Sequence, residues 1–151
     1  MDDKEYLLKA IEKAKESISK GGFPAGAVIV KEGKIVGEGI ALGNKLNDPT
    51  SHPEMESIKS ACKEYKTTNL TGCTLYASME SCVMCLGASM WSSISRIVFA
   101  LSKSKVSTEY YGGSYDQGEI NSKFNHPIEI VHLSELEEDS LKVVREWEKS
   151  L

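Results

Sequence analysis

The sequence predicts an α/β protein in which a mixed β-sheet lies between helices. An amphipathic helical pattern is followed by a hairpin of two apolar strands, and beyond the hairpin helical and strand-like segments alternate. This alternation implies a sheet covered by helices on both faces, whereas the hairpin makes its own two strands antiparallel. The 151 residues suit one domain, 1–151, with a sizeable core.

The chain begins with a helix and a hairpin. Gly21 and Gly22 end the helical pattern, as glycines at a helix C-terminus do. Apolar runs over 25–30 and 35–42 flank a turn at 31–34, and a polar loop rich in turn-forming residues follows over 43–50. The apolar face of the first helix consists of Tyr6, Leu7, Ala10, Ile11, Ala14 and Ile18.

The rest of the chain alternates between helix and strand. Ser51 precedes a second helix, and Pro53 fits its first turn, where a missing N–H costs the helix nothing. The segment 102–124 is the least regular part of the chain. The other predicted elements are strands over 73–77, 96–101 and 128–133, a helix over 82–91 and a final helix from Ser134.

Charge and N-terminal pattern limit the classes of partner. The net charge of −4 and the pI of about 5.5 give no overall attraction to nucleic acid, so we expect no such partner. No signal-peptide pattern and no apolar run of transmembrane length are visible, so we expect a cytoplasmic protein without membrane contact. The four cysteines are then expected to be reduced.

Two short motifs carry the chemistry. His52-Pro53-Glu54 opens one predicted helix, and Cys82-Val83-Met84-Cys85 opens another. One imidazole and two thiolates leave the fourth position of a tetrahedral metal open, which is the pattern of catalytic rather than structural zinc. A helix N-terminus also favours the thiolate form. The sequence therefore predicts one Zn²⁺ per chain, bound by His52, Cys82 and Cys85.

Glu54 is the predicted proton carrier. If His52 binds the metal, the carboxylate two residues later cannot easily reach it and stays free. Such a carboxylate can take a proton from water and later deliver protons to a substrate nitrogen and a leaving amine. Because zinc lowers the pKa of bound water to near neutrality, this combination suits hydrolysis.

Two other interpretations of the motifs remain open at this point. Cys82 and Cys85 alone match a redox-active C-x-x-C pair. A structural zinc site would need a fourth ligand, for which His126 and His132 are the candidates, although a loop residue and a strand residue explain them more simply.

The motifs resemble those of the cytidine deaminase-like superfamily, in its branch of guanine, cytosine and tRNA adenosine deaminases. H-x-E followed by C-x-x-C is the signature of zinc-dependent base deaminases. The resemblance covers most of the chain and includes the segments 25–30, 47–54, 74–76, 80–88 and 96–99. It implies a three-layer α/β/α sandwich with a mixed five-stranded sheet, a homodimer, zinc on the three predicted ligands and Glu54 as the proton shuttle.

The resemblance also implies substrate contacts. Asn44 matches the family asparagine that hydrogen-bonds the substrate. Pro53 stands where the family has a residue whose N–H donates to the base, a donor that proline lacks. Ser81 replaces the family's proline before the first cysteine but keeps the carbonyl that can accept from the attacking water. Where guanine deaminases have an aromatic residue, this chain has Ala25, with Phe23 two residues earlier. Candidates for the family's substrate-binding acid are Glu109 and Asp116.

Together these observations predict a zinc-dependent hydrolytic deaminase of a free nucleobase or related amino-heterocycle. A guanine-like base is the first candidate and cytosine the second, while Pro53 also favours a triazine or a modified purine. By resemblance, 110–116 and the helix with Trp147 close the pocket. One alternative is a tRNA adenosine-to-inosine deaminase, although Lys103 and Lys105 form the only basic cluster near the site. The other is a non-catalytic zinc-binding partner subunit, a type that typically lacks the glutamate.

Overall fold

The computed structural model describes residues 2–151 and has the predicted α/β architecture. The helices are α1 (Asp3–Ser19), α2 (Gly43–Leu46), α3 (Pro53–Tyr65), α4 (Val83–Trp91), α5 (Gln117–Ser122) and α6 (Glu137–Lys149). The strands are β1 (Phe23–Lys31), β2 (Lys34–Ala41), β3 (Thr74–Met79), β4 (Arg96–Leu101) and β5 (Glu129–His132).

The five strands form one mixed sheet in the order β2-β1-β3-β4-β5. The hairpin pair β1–β2 and the pair β1–β3 are antiparallel, whereas β3–β4 and β4–β5 are parallel. The tight hairpin turn places Glu32 and Gly33 in the left-handed region, at φ 49° and 76°. Such a turn matches the twist of the strands that it joins. For this reason the four residues 31–34 were sufficient to predict the hairpin.

The helices cover both faces of the sheet, so the predicted three-layer sandwich is confirmed. On one face α1 and α6 bury residues against β1, β3 and β4, including Leu7, Val28 and Val143. On the other face α3 and α4 pack against the same strands through residues such as Ile58, Leu75 and Leu86. The alternation of buried side chains between the two clusters follows from the period of two along a strand.

The irregular regions contain more structure than the sequence indicated. The predicted loop 43–50 begins with the short helix α2, which ends at Asn47 in the left-handed conformation. The segment 102–124 contains two 3-10 turns and α5, which starts where the Asp116 carboxylate caps the Glu119 N–H. Side-chain caps of this kind stabilise short helices locally. Such helices are too short to show a helical period of apolar residues in the sequence.

Two further features bear on the earlier expectations. None of the helices in residues 2–151 is long and apolar enough to cross a membrane. All four cysteines are free thiols, as the expectation of reduced cysteines requires.

Candidate active site

Helix α3 delivers His52 and Glu54 to the site. His52 is the N-cap residue in extended conformation, and Pro53 occupies the first helical position. The helix lies unusually close to β2 because Gly39 has no side chain; a Cβ there would be 2.0 Å from the Pro53 carbonyl oxygen. The close contact between Gly39 and Pro53 therefore determines the distance between the H-x-E motif and the sheet.

Helix α4 delivers the two cysteines. Cys85 lies in its first turn and is fully buried, whereas Cys82 is the N-cap residue and lies just outside the helix. The sequence predicted that the helix begins at Cys82, and this predicted start is wrong by one residue. Helix ends commonly differ from prediction by this much, and the i, i+3 spacing still directs both sulfurs to the same side.

His52, Cys82 and Cys85 come together as the predicted metal site. The Nδ1 atom of His52 lies 3.5 Å from the Cys82 Sγ and 3.6 Å from the Cys85 Sγ. Tetrahedral zinc, with bonds of about 2.3 Å to sulfur and about 2.0 Å to nitrogen, separates such atoms by about 3.6 Å. The three side chains therefore fit Zn²⁺, and the fourth position is left for water or substrate.

The two competing interpretations of the motifs find no support. Among residues 2–151, His52, Cys82 and Cys85 are the only group of three potential metal ligands. His132 stacks on Phe99 and faces the Ala100 carbonyl at 2.9 Å, and His126 is exposed, so neither supplies a fourth ligand. The fit of all three side chains to one tetrahedral ion favours a metal site over a redox pair.

The charges at the site favour metal binding. A hydrogen bond from the Cys85 thiol, with help from His52, lowers the pKa of the Cys82 thiol to about 4. The same hydrogen bond raises the pKa of Cys85, and the hydrogen bond with Cys82 raises the pKa of His52. The cluster thus favours ionisation of Cys82, and a bound divalent cation would compensate the charge of both thiolates.

Glu54 is buried beside this cluster, with 7% of its surface exposed. Burial, followed by the nearby Cys82 thiolate, raises the pKa of Glu54 to about 7. A carboxyl group with such a pKa can both accept and donate a proton near neutral pH.

A cavity of about 720 Å³ opens in front of these residues. Its wall includes Pro53 and Glu54 and also Asn44, which is exposed on α2 and makes no side-chain hydrogen bond within residues 2–151. Of the two candidate acids, Glu109 lines the cavity, whereas Asp116 caps α5 and does not. Asp48 and Glu80 also line it.

Three aromatic side chains close one side of the cavity. Phe23 lies 5.1 Å, centroid to centroid, from both Tyr110 and Trp147, with edge-to-face geometry. Tyr110 also hydrogen-bonds the Glu148 carboxylate, which ties the segment after β4 to α6. Phe23 therefore supplies an aromatic wall from a position different from the family's, and the predicted C-terminal cover lies at the cavity.

Ser51 and Gln117 were not found by sequence reasoning, which predicted a role for the carbonyl of Ser81 but not for its hydroxyl. Ser51 is 1% exposed, lines the cavity and has a hydroxyl without a hydrogen-bond partner. The Ser81 hydroxyl is likewise buried without a partner of normal geometry, and it lowers the pKa of Glu54. Gln117 donates from Nε2 to the Ser81 carbonyl at 3.0 Å. Only the position of Ser51 directly before the motif gave any signal.

Known proteins are similar to this chain in sequence and in fold. Residues 1–101 match the model of the cytidine and deoxycytidylate deaminase zinc-binding region. A tRNA-specific adenosine deaminase of Aquifex aeolicus is 45% identical over 98 residues, which are 64% of this chain and 65% of that protein. The guanine deaminase of Bacillus subtilis is 37% identical over 122 residues, covering 80% and 78% of the two chains.

Solved structures agree with the sequence matches. The structure of the Bacillus subtilis guanine deaminase superposes with a TM-score of 0.69 at 32% identity, covering 99% of this chain and 95% of that one. A tRNA:A34 deaminase superposes with a TM-score of 0.81 at 24% identity, covering 93% and 99%, and supports the fold. With the His-Cys-Cys site in place, the chain belongs to the cytidine and deoxycytidylate deaminase family and is a zinc-dependent deaminase.

Proposed function

We propose that the enzyme deaminates a small, uncharged amino-heterocycle, with a guanine-like base as the first candidate and cytosine as the second. The observation that carries this proposal is the set of charged residues that line the cavity. Asp48, Glu54, Glu80 and Glu109 line it, whereas no lysine or arginine of residues 2–151 does. Carboxylates accept from the N–H groups of an amino-substituted ring, whereas they repel phosphate.

The chain's own groups account for the proton transfers of the reaction. Bound zinc supplies a Lewis acid and makes water a nucleophile near neutral pH. Glu54 would take one proton from the attacking water and deliver it to the ring nitrogen next to the reacting carbon. It would then take the remaining proton of the added hydroxyl and deliver it to the leaving amine, which departs as ammonia. Its burial keeps the proton in the site, because bulk water does not compete for it.

Asn44 and Pro53 are proposed to orient the ring. The Asn44 amide can both donate to and accept from a heterocycle, and no partner in residues 2–151 occupies it. Pro53 offers no N–H, so a ring acceptor facing it would lose about 1–3 kcal/mol if no other donor replaces it. A ring edge that carries C–H at this point avoids the loss, so Pro53 favours a substrate other than the usual bases, such as a modified purine or a triazine. The Ser81 carbonyl is proposed to accept from the attacking water.

Deamination of a tRNA adenosine is the alternative function, and the comparisons favour it. Relatives named as tRNA-specific adenosine deaminases include the Aquifex aeolicus protein with 45% identity. This similarity argues against the expectation that nucleic acid is not a partner. The two candidates differ in what they require, because an RNA loop needs cations around the cavity mouth, while a free base does not.

The test is ammonia release by the zinc-loaded protein from a substrate panel. The panel contains guanine, cytosine, adenine, their nucleosides, 8-oxoguanine, isocytosine, ammeline and a tRNA stem-loop with adenosine at the wobble position. We expect turnover of at least one free base and none of the stem-loop. Turnover of the stem-loop alone would establish the tRNA alternative. No turnover at all, with one zinc per chain, would point to a heterocycle outside the panel or a non-catalytic role.

We also infer that the protein forms a homodimer through the outer face of α4. Val83 and Trp91 lie on this helix and are 47% and 80% exposed, which is unusual for large apolar residues. Light scattering should give the mass of a dimer for the wild type and a smaller mass for Trp91→Ser. The matched control is Leu8→Ser, which removes an exposed leucine of α1 and should leave the mass unchanged. A wild type that is monomeric at high concentration would contradict the inference.

A further inference from the structure

The loop that carries Cys82 is held by side chains from a distant part of the chain. We call residues 80–82 the metal loop; they connect β3 to α4. The Tyr111 hydroxyl donates to the Glu80 carbonyl at 2.8 Å, and Gln117 Nε2 donates to the Ser81 carbonyl at 3.0 Å. Directly after the loop, the Val83 N–H donates to the Tyr115 hydroxyl at 3.0 Å. The backbone around Cys82 is therefore fixed by side chains of residues 111–117.

This attachment matters more for Cys82 than for Cys85. Cys85 lies inside α4, where the helix fixes its backbone. Cys82 lies outside the helix, at φ −74° and ψ 173°, and its side chain caps no N–H group. The place of its sulfur therefore depends on the backbone angles of the metal loop. At present that sulfur lies at the distance from His52 that tetrahedral zinc requires.

Gln117 is poorly explained by packing alone. It is 4% exposed at the first position of α5, and its Oε1 atom is buried without a hydrogen-bond partner. A buried polar atom without a partner destabilises a folded protein, and a methionine would fill similar space without that cost. The polar contact that the side chain does make goes to the metal loop.

We propose that Gln117 is a positioning residue of the metal centre: its amide holds the Ser81 carbonyl and thereby fixes Cys82 for metal binding. Tyr111 and Tyr115 share this function through the carbonyl before Ser81 and the N–H after Cys82. Residues that orient metal ligands in this way strengthen binding because the ligand is held in place before the metal arrives. The proposal depends on the metal site and not on the identity of the substrate.

A matched pair of variants tests this role. Gln117→Met removes the amide and keeps the length of the side chain. The control is Asn121→Leu in the same helix, because Asn121 is also a buried amide, 8% exposed, and its hydrogen bonds at 2.8 and 3.0 Å go to Ile128 instead of the metal loop. Both variants lose a buried amide of α5, but only the first loses a contact to the loop.

The readouts are the visible absorption spectrum of the Co²⁺-substituted protein and metal affinity measured by chelator competition. We expect Gln117→Met to change the cobalt bands and to weaken metal binding by about 10- to 100-fold. Asn121→Leu should keep the wild-type bands and affinity even if its melting temperature falls further. Wild-type bands and affinity in Gln117→Met, or equal changes in both variants, would overturn the proposal.

A second variant keeps the proposal testable if Gln117→Met does not fold. Tyr115→Phe removes only the hydroxyl that accepts from the Val83 N–H, while its ring can remain under the Lys103 ammonium. We expect a smaller change of the cobalt bands in the same direction. An unchanged spectrum and affinity would then count against the positioning role.

Discussion

Two clusters of polar side chains lie at opposite ends of the parallel strands β3 and β4, and they differ in how far their polar groups are satisfied. Asp3, Tyr76 and Arg96 meet near the amino end of β4. The metal ligands and Glu54 meet beyond the carboxyl end of β3, which runs parallel to β4. The first cluster is complete without any ligand, whereas the second contains buried polar atoms that nothing in residues 2–151 satisfies.

In the first cluster every group has a partner. Arg96 donates to both Asp3 oxygens, at 2.8 and 2.6 Å, and the Tyr76 hydroxyl donates to the same carboxylate at 2.6 Å. Arg96 is the main reason that the pKa of Asp3 lies below its ordinary value. This cluster ties the start of α1 to the sheet, and its function is stability.

The second cluster contains buried polar groups that lack hydrogen-bond partners. The Ser51 hydroxyl and Gln117 Oε1 are buried without hydrogen-bond partners, and the Ser81 hydroxyl, which lowers the pKa of Glu54, has no partner of normal geometry. Glu54 is buried with a raised pKa, which means that its ionised form is poorly stabilised. Such unsatisfied groups lower stability, and their presence around the metal ligands indicates a place prepared for a metal, water and substrate. The contrast leads to four predictions.

Removal of zinc should have the largest effect, and only on the second cluster. A strong chelator should reduce deamination to background, because the nucleophile is lost, and restored Zn²⁺ should recover it. The melting temperature should also fall, since a ligand at about 1,000 times its Kd stabilises a fold by about 4 kcal/mol. Ammonia release, metal analysis and thermal unfolding check this. Full activity in protein shown to be metal-free would refute it.

Glu54→Gln should reduce the rate by about 10²- to 10⁴-fold, the usual contribution of a general acid–base group. Zinc content should be unchanged, and the melting temperature should stay equal or rise, because a neutral amide replaces a poorly stabilised carboxyl group. Glu56→Gln is the control: it changes an acid of the same helix that pairs with Lys59. Equal losses in both variants would remove Glu54 from the mechanism.

Asp3→Asn should leave activity unchanged and lower the free energy of unfolding by about 1–3 kcal/mol, since hydrogen bonds to a charged group are lost. The effect should depend on pH. The folded-state pKa of Asp3 lies below 3.8, so its contribution is complete above that pH and is lost as the pH falls through the folded-state value.

Chemical denaturation of wild type and Asp3→Asn over a range of pH checks this. The difference between them should be constant near neutrality and shrink in acid. Asp139→Asn is the control, because Asp139 lies in the first turn of α6 and is exposed. A difference that grows in acid would contradict the assigned pKa shift.

Ser51→Ala should have the smallest effect on stability. The Ser51 hydroxyl is buried without a partner, so its removal breaks no hydrogen bond, and the free energy of unfolding should stay equal or rise by less than about 0.5 kcal/mol. Ser57→Ala provides the comparison, because this fully buried hydroxyl donates to the Pro53 carbonyl at 2.8 Å. It should cost about 1 kcal/mol. Equal costs in denaturant titrations would show that Ser51 is in fact satisfied.

The sequence was informative wherever the signal is local. The turn at 31–34, the proline at the start of α3 and the two metal-binding motifs depend on residues within a few positions of one another. The strand 96–101 was predicted with its observed bounds. The short elements α2 and α5 were missed, because each is set by a single cap or turn instead of a repeated apolar pattern.

By itself, the sequence determined the α/β class, the mixed sheet, the three metal ligands and the nearby carboxyl group. These properties follow from the spacing of apolar and metal-binding residues along the chain, which the sequence gives directly. Only the tertiary structure decided that Glu109 rather than Asp116 faces the cavity, that Phe23 meets Trp147, and that Gln117 reaches Ser81 from 36 residues away. Such contacts arise when packed helices bring distant side chains together, and no local pattern encodes them.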